Sequence, residues 1–158
     1  MKKHNVYSDL IKKKEVIAIN WLIVLSALSV ATVTDVKNRT IPLWLFPLAS
    51  ICSVATRLAL GQMLWLDSVI AAVLMFAVYL FAAVFFEGGG GDAIMMGLTA
   101  FCIGLNASFY AAMIASALYV VAVILAAKNN LAPASKKTLP FAPFALVGSI
   151  GALVIKLL

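Results

Sequence analysis

The chain is laid out as six apolar runs separated by short polar breaks, and this alternation limits what it can fold into. The runs cover residues 16–34, 41–60, 63–86, 92–105, 107–127 and 139–158. Most approach the roughly 20 residues that an α-helix needs to cross the hydrocarbon core of a bilayer. The fourth is shorter and reads as a half-span or a tilted short helix. Of 158 residues, 65% are hydrophobic and 11% charged, against about half and about a quarter in a soluble domain. A soluble chain of this length could not hide so much apolar surface in one core. Lipid removes that difficulty. The expectation is an all-α membrane protein, a bundle of about six transmembrane helices with short loops and antiparallel neighbours. Residues 1–15 read as a basic polar N-terminal arm with Lys2, Lys3, Lys12, Lys13 and Lys14, and residues 16–158 as the six-helix transmembrane domain. The stretch 128–138, with Asn129, Asn130 and Pro133, reads as a loop.

The net charge of +6 suits anionic lipid headgroups, because the basic residues sit at the ends of apolar runs. No basic stripe interleaved with aromatics points to nucleic acid. Cys52 and Cys102 lie far apart inside apolar runs, and His4 is the sole histidine. A metal site or a Ser–His system has nothing to build on, and no cofactor is expected. The first run ends in Thr34-Asp35 rather than a small-residue cleavage site, which argues against a cleavable signal peptide. With six spans, the loops after the first, third and fifth helices share one face. That face carries Lys37, Arg39, Lys128, Lys136 and Lys137, and the positive-inside rule places it in the cytoplasm. The lysine-rich arm, on the opposite face with Lys156, pulls the other way.

Charges at membrane depth are costly and mark candidate functional positions. Those available are Asp35, Arg57, Asp67, Glu87 and Asp92. Arg57 and Asp67 face each other across a short loop and read as an ion pair or a headgroup contact. Glu87 ends the third run and reads as solvated. Asp35 ends the first helix and Asp92 begins the fourth, so both reach the face of the odd-numbered loops. Two carboxylates meeting there are what an aspartic peptidase requires. One, ionised, takes a proton from water; the other, protonated, hydrogen-bonds to the substrate carbonyl. Two such neighbours share one proton because both cannot ionise cheaply. Helix-end electrostatics alone expect Asp92, at a helix N-terminus, to be the ionised partner. Gly88, Gly89, Gly90 and Gly91 precede Asp92 and would let an extended substrate strand approach closely. Asp is also a favoured N-cap, and G-x-G-D alone is a short motif. Gly97, Ala100 and Gly104 form a small-residue seam expected to hold Asp92 near a neighbouring helix, the first being the candidate. Pro47 is expected to kink the second helix. Pro140, Phe141 and Pro143 give a rigid apolar start to the last helix on the face of both aspartates.

Three segments together resemble the type IV prepilin peptidase family. Asp35-Val36-Lys37-Asn38-Arg39-Thr40-Ile41-Pro42 is similar to its first aspartate motif, and Gly89-Gly90-Gly91-Asp92 to its G-x-G-D motif. Leu139-Pro140-Phe141-Ala142-Pro143-Phe144 is similar to the segment that opens its last helix. The resemblance covers residues 17–158 and extends to order, spacing and the six spans. It implies a membrane aspartic endopeptidase with Asp35 and Asp92 as catalytic pair at the cytoplasmic face of a prokaryotic inner membrane. The substrate would be a prepilin or pseudopilin, cut after a glycine at the end of a short basic leader. Arg39, Pro42, Pro140, Phe141, Pro143 and the glycines would contact the substrate or support the loop. Two positions depart from the family pattern: Ile94 stands where a lysine is frequent, and Leu43 where Asn is frequent after the Ile-Pro pair. Larger members carry a zinc-binding insert with paired cysteines, linked to N-methylation, which this chain lacks. It resembles the small, peptidase-only type that serves Tad/Flp-like pili.

Two rival readings differ in class. A small transporter or proton-conducting bundle would use the aspartates as relay sites, but a relay needs its acids near mid-membrane rather than at helix ends. A non-catalytic pilus or secretion assembly subunit gives no reason for two acids to converge on one glycine loop.

Overall fold

A computed structural model describes residues 2–61, 65–85, 89–128 and 139–158. Among the described residues the chain is all-helical: α1 (Lys2–Asn38), α2 (Leu45–Ala59), α3 (Trp65–Phe85), α4 (Gly90–Ile103), α5 (Leu105–Lys128) and α6 (Ala142–Leu157). Three segments are long and apolar enough to cross a membrane: Ile11–Asn38, Leu66–Phe85 and Leu105–Lys128. Helices α2, α4 and α6 are shorter, with 15, 14 and 16 residues. At 1.5 Å per residue α4 is only about 21 Å long, against a hydrocarbon core of about 30 Å.

Beside Leu28, Phe46, Met95 and Met96, many of the residues buried in the bundle are small, while many large apolar residues face outward. Ala31, Ala71, Ala93, Ala100, Ala111, Ala115, Ala142 and Ala145 are fully buried, as are Ser53 and Ser149. Leu22, Ile51, Leu66, Val73 and Val84 stand 64–75% exposed. This inverts the pattern of a water-soluble core. It follows when the surroundings are as apolar as Leu: burying Leu gains nothing there, so close packing of small side chains holds the helices together. Gly148 shows how close the packing is. A Cβ there would collide with the carbonyl oxygen of Ala111 and lie 2.9 Å from the Ala115 nitrogen, so α6 rests directly on the α5 backbone.

The seam of α4 faces α3, not α1. A Cβ on Gly97 would lie 2.9 Å from Phe76 Cβ and 3.3 Å from the Ala72 carbonyl. Ala100 clusters with Ala71 and Met75 of α3. Helix α1 instead contacts α2, α4 and α6, with Trp21, Val24, Ala27, Leu28 and Ala31 in the shared core. Leu28 and Ala31 are both fully buried there.

Helix α2 begins four residues later than the apolar run suggests. Arg39 takes φ of 54° and caps α1 by donating its N–H to the Asp35 carbonyl at 2.9 Å. The residue before a proline avoids the helical region, so the chain stays extended through Ile41-Pro42. It then turns, with Leu45 N–H donating to the Pro42 carbonyl at 3.0 Å. Pro47 accordingly falls in the first turn of α2, where its missing N–H costs nothing, and not in mid-helix as expected.

Short α4 leaves its C-terminus inside the bundle, and that end is closed by side chains. Arg57 of α2 donates to the carbonyls of Phe101 and Cys102, at 3.3 and 2.9 Å, and to Ser68 Oγ. Asp67 of α3 accepts the Leu105 N–H, 3.3 Å away, at the start of α5. Gly104 joins the two helices with φ of 84°, and a Cβ there would strike the Asp67 carboxylate. Asp67 also lies within electrostatic reach of Arg57. They are thus tied to backbone groups that lipid could not satisfy.

Candidate active site

The α6 N-terminus sets the geometry. Its N-cap residue is Phe141, whose side chain offers no acceptor. Phe144 and Ala145 donate their N–H groups back to the Phe141 carbonyl, at 3.0 and 3.1 Å, and Pro143 has none to donate. That leaves the N–H of Ala142, a residue with no exposed surface. A buried orphan donor is expensive. Asp35 removes it: its Oδ2 accepts the Ala142 N–H at 3.0 Å. Asp35 is itself only 6% exposed. A carboxylate from the last turns of α1 therefore caps α6.

Asp92 reaches the same place from the first turn of α4. The turn is built on glycine: Gly89 is extended at φ −75° and ψ 125°, and its carbonyl accepts the Asp92 N–H at 3.1 Å. Asp92 is half-buried and lies within electrostatic reach of Asp35, whose charge it feels. The structure thus brings together the two aspartates singled out from the sequence.

The supporting residues divide. Gly91 lies against the α1–α2 connection: a Cβ there would sit 3.6 Å from Leu43 Cδ2 and 4.0 Å from Ile41 Cδ1. Gly89 would place a Cβ 4.0 Å from Asp92 Oδ2, and Gly90 meets nothing within 4 Å. The glycine loop and the stretch around Pro42 therefore adjoin. Phe141 is buried and Pro140, Pro143 and Pro42 are half-buried, while the Arg39 side chain is exposed. Gly88, Glu87 and the 129–138 stretch with Lys136 and Lys137 lie outside the described residues.

Sequence reasoning missed three groups. Tyr79 of α3 and Tyr119 of α5 each place a ring 5.5 Å from that of Phe141, and Tyr119 also meets Phe144 at 5.5 Å. Both phenols lie within electrostatic reach of Asp92, and Tyr79 Oη lies 3.1 Å from Ser116 Oγ. The available signal was a polar-tipped aromatic well inside an apolar run. The third group, the Ala142 N–H, has no side-chain signature.

The site therefore offers a carboxylate held by a backbone donor, a second carboxyl group beside it, a glycine-lined approach and an aromatic wall. Among the described residues no cluster of His, Cys, Asp and Glu could hold a metal ion. A model of the type IV leader peptidase family matches residues 22–125. No curated protein and no solved structure matches the chain.

Proposed function

The chain belongs to the type IV leader peptidase family, and from that premise we propose that it is a membrane aspartic endopeptidase acting through Asp35 and Asp92. The observation that carries this reading is the convergence of the two acids at the α6 N-terminus, beside a glycine turn. Membership of the family and three long apolar helices mark a membrane protein of the leader peptidase type. The finer reading is ours. All six helices lie in the bilayer, the short ones included. The site opens to the cytoplasmic face of a prokaryotic inner membrane, and the substrate is a prepilin or pseudopilin with a basic leader. A small member of this kind fits Tad/Flp-type pili and secretion.

Geometry also suggests how the acids divide the work. Helix-end electrostatics had favoured Asp92 as the ionised partner. We give more weight to the Ala142 contact, because a backbone N–H at the α6 N-terminus favours negative charge on Asp35. In our reading Asp35 carries the charge and Asp92 the shared proton. Asp35 takes a proton from water as the water oxygen attacks the substrate carbonyl carbon. Asp92 hydrogen-bonds to the carbonyl oxygen. The peptide C–N bond then breaks as a proton passes to the leaving amine. Tyr79, Tyr119 and Phe141 shape the apolar side of the cleft, where the hydrophobic segment after the cut would lie.

Co-expression with a candidate prepilin tests this. The wild type shortens the prepilin on a gel, and Asp35→Asn and Asp92→Asn, each still inserted in the membrane, do not. Cleavage by both variants would remove the dyad from the account.

A further inference from the structure

Helix α4 carries Asp92 in its first turn, so whatever fixes the helix along its axis also fixes the height of that acid. Its two ends are held unequally. The glycine turn at the start is lightly seated: a Cβ on Gly90 would meet nothing within 4 Å, and one on Gly91 only the side-chain tips of Leu43 and Ile41. In mid-helix, Gly97 packs on Phe76 and the Ala72 carbonyl, and Ala100 on Ala71 and Met75. A small-residue seam of this kind sets how closely two helices approach. Its van der Waals contacts are weak one by one and non-directional, so they oppose sliding along the axis only weakly.

The far end is gripped by directed bonds. Arg57 of α2 is 8% exposed. One of its guanidinium nitrogens donates to the Cys102 carbonyl at 2.9 Å and to the Phe101 carbonyl at 3.3 Å. Another donates to Ser68 Oγ on α3, and Arg57 Cζ lies 5.9 Å from the centroid of the Phe101 ring. One side chain of α2 thus ties the end of α4 to α3, with a cation where a helix is negative. A buried charge in a membrane bundle is costly. A helix running unbroken from α4 into α5 would satisfy the same carbonyls without it. What Arg57 adds is a fixed endpoint for α4.

We propose, resting on the peptidase reading, that Arg57 is a positioning residue for the two aspartates: by bonding the last carbonyls of α4 it sets the height of Asp92 against Asp35. Cys102 and Asp92 are about 15 Å apart along α4 at 1.5 Å per residue. The intrahelical bonds between them carry a shift at one end to the other. Asp35 is fixed independently, by the Ala142 N–H. A displacement of α4 alone therefore changes the separation of the acids.

The test follows cleavage of a synthetic prepilin segment across pH by the full chain in detergent, for the wild type, Arg57→Lys and Ser68→Ala. Lys keeps the charge but gathers its donors on one atom, losing the fork that reaches Ser68 and the carbonyls together. Ala at position 68 fits a fully buried site and removes only the anchor on α3. Unfolding midpoints report the folded fraction, and if Arg57→Lys does not fold, Ser68→Ala carries the same readouts. In Arg57→Lys kcat should fall about 10–100-fold, since a misplacement of about 1 Å costs that much. KM should stay within about 2-fold, because the lost interaction belongs to the transition state. Ser68→Ala should change in the same direction by less. The two limbs of the pH–rate profile should draw together in both variants, because carboxyl groups held further apart share a proton less strongly. Activity that merely follows the folded fraction, with the pH profile unmoved, or wild-type kcat in both variants, overturns the proposal and leaves the catalytic pair intact. A wild type that does not cut, or cleavage by both Asp35→Asn and Asp92→Asn, removes the peptidase reading instead, and the positioning role with it.

Discussion

The Asp35 carboxylate takes a backbone N–H that α6 would otherwise leave buried and unpaired, and this gives the residue a structural task beside the chemical one proposed for it. Substitution separates the two. Asn keeps an oxygen that can accept from Ala142, so Asp35→Asn should fold like the wild type and lose cleavage by about 10²–10⁴-fold, the usual worth of a positioned acid or base. Ala keeps nothing, so Asp35→Ala should also lower stability by about 0.5–2 kcal/mol, the cost of a missing cap. Thermal unfolding in micelles beside a cleavage assay reads both. If Asn and Ala destabilise equally, the cap is not what the carboxylate provides. Gly90 offers a complementary test. It has open space around a prospective Cβ, so Gly90→Leu should leave stability within about 0.5 kcal/mol, as at other surface positions. If substrate must approach that turn, the same variant should cut slowly.

Between elements, two glycines of α6 show how the helices are held. Gly148→Ala would drive a methyl into the α5 backbone at Ala111 and Ala115, which cannot yield. It should cost about 1–3 kcal/mol, as overpacking does. Gly151→Ala would meet the flexible tip of Ile114. That side chain can move, and Ala gains about 1 kcal/mol of helix propensity over Gly, so Gly151→Ala should be neutral or stabilising. Unfolding midpoints in one detergent decide between these outcomes. The elements were also where the sequence was most informative. Lengths of apolar runs revealed six helices, because a polar break in such a chain has few meanings. Boundaries were less legible. The late start of α2 depends on the left-handed Arg39 and the turn at Pro42, which together override an unbroken apolar run. The seam of α4 was legible as a seam, but small residues do not say which neighbour fills them. Both aspartates were legible because charge is rare here. The Ala142 N–H was not, since residue identity says nothing of an orphan donor.

Among the described residues, alanine, serine and glycine make many of the helix contacts and a broad shell of aliphatic and aromatic side chains faces outward. A chain built so should resist extraction by alkaline carbonate and yield to detergent. Release by carbonate would contradict a bilayer-embedded bundle. If all six helices cross, the two ends differ in address. Lys37→Cys, beside Asp35, should react with a membrane-impermeant thiol reagent only from the cytoplasmic side, and Asn106→Cys, at the α4–α5 connection, only from the opposite side. Labelling of both from one side would mean that at least one of α2, α3 and α4 does not cross.

The central claim, that Asp35 and Asp92 act as one catalytic unit, is tested most directly with purified protein in detergent. A synthetic prepilin segment would serve as substrate and mass spectrometry would locate the cut. The wild type should cleave at a single bond between the basic leader and the hydrophobic segment. Asp35→Asn and Asp92→Asn should each be nearly inactive, and the double variant no worse than either, because groups that act as a unit are not additive. Full cleavage by either single variant, or losses in the two that multiply in the double, would contradict the account.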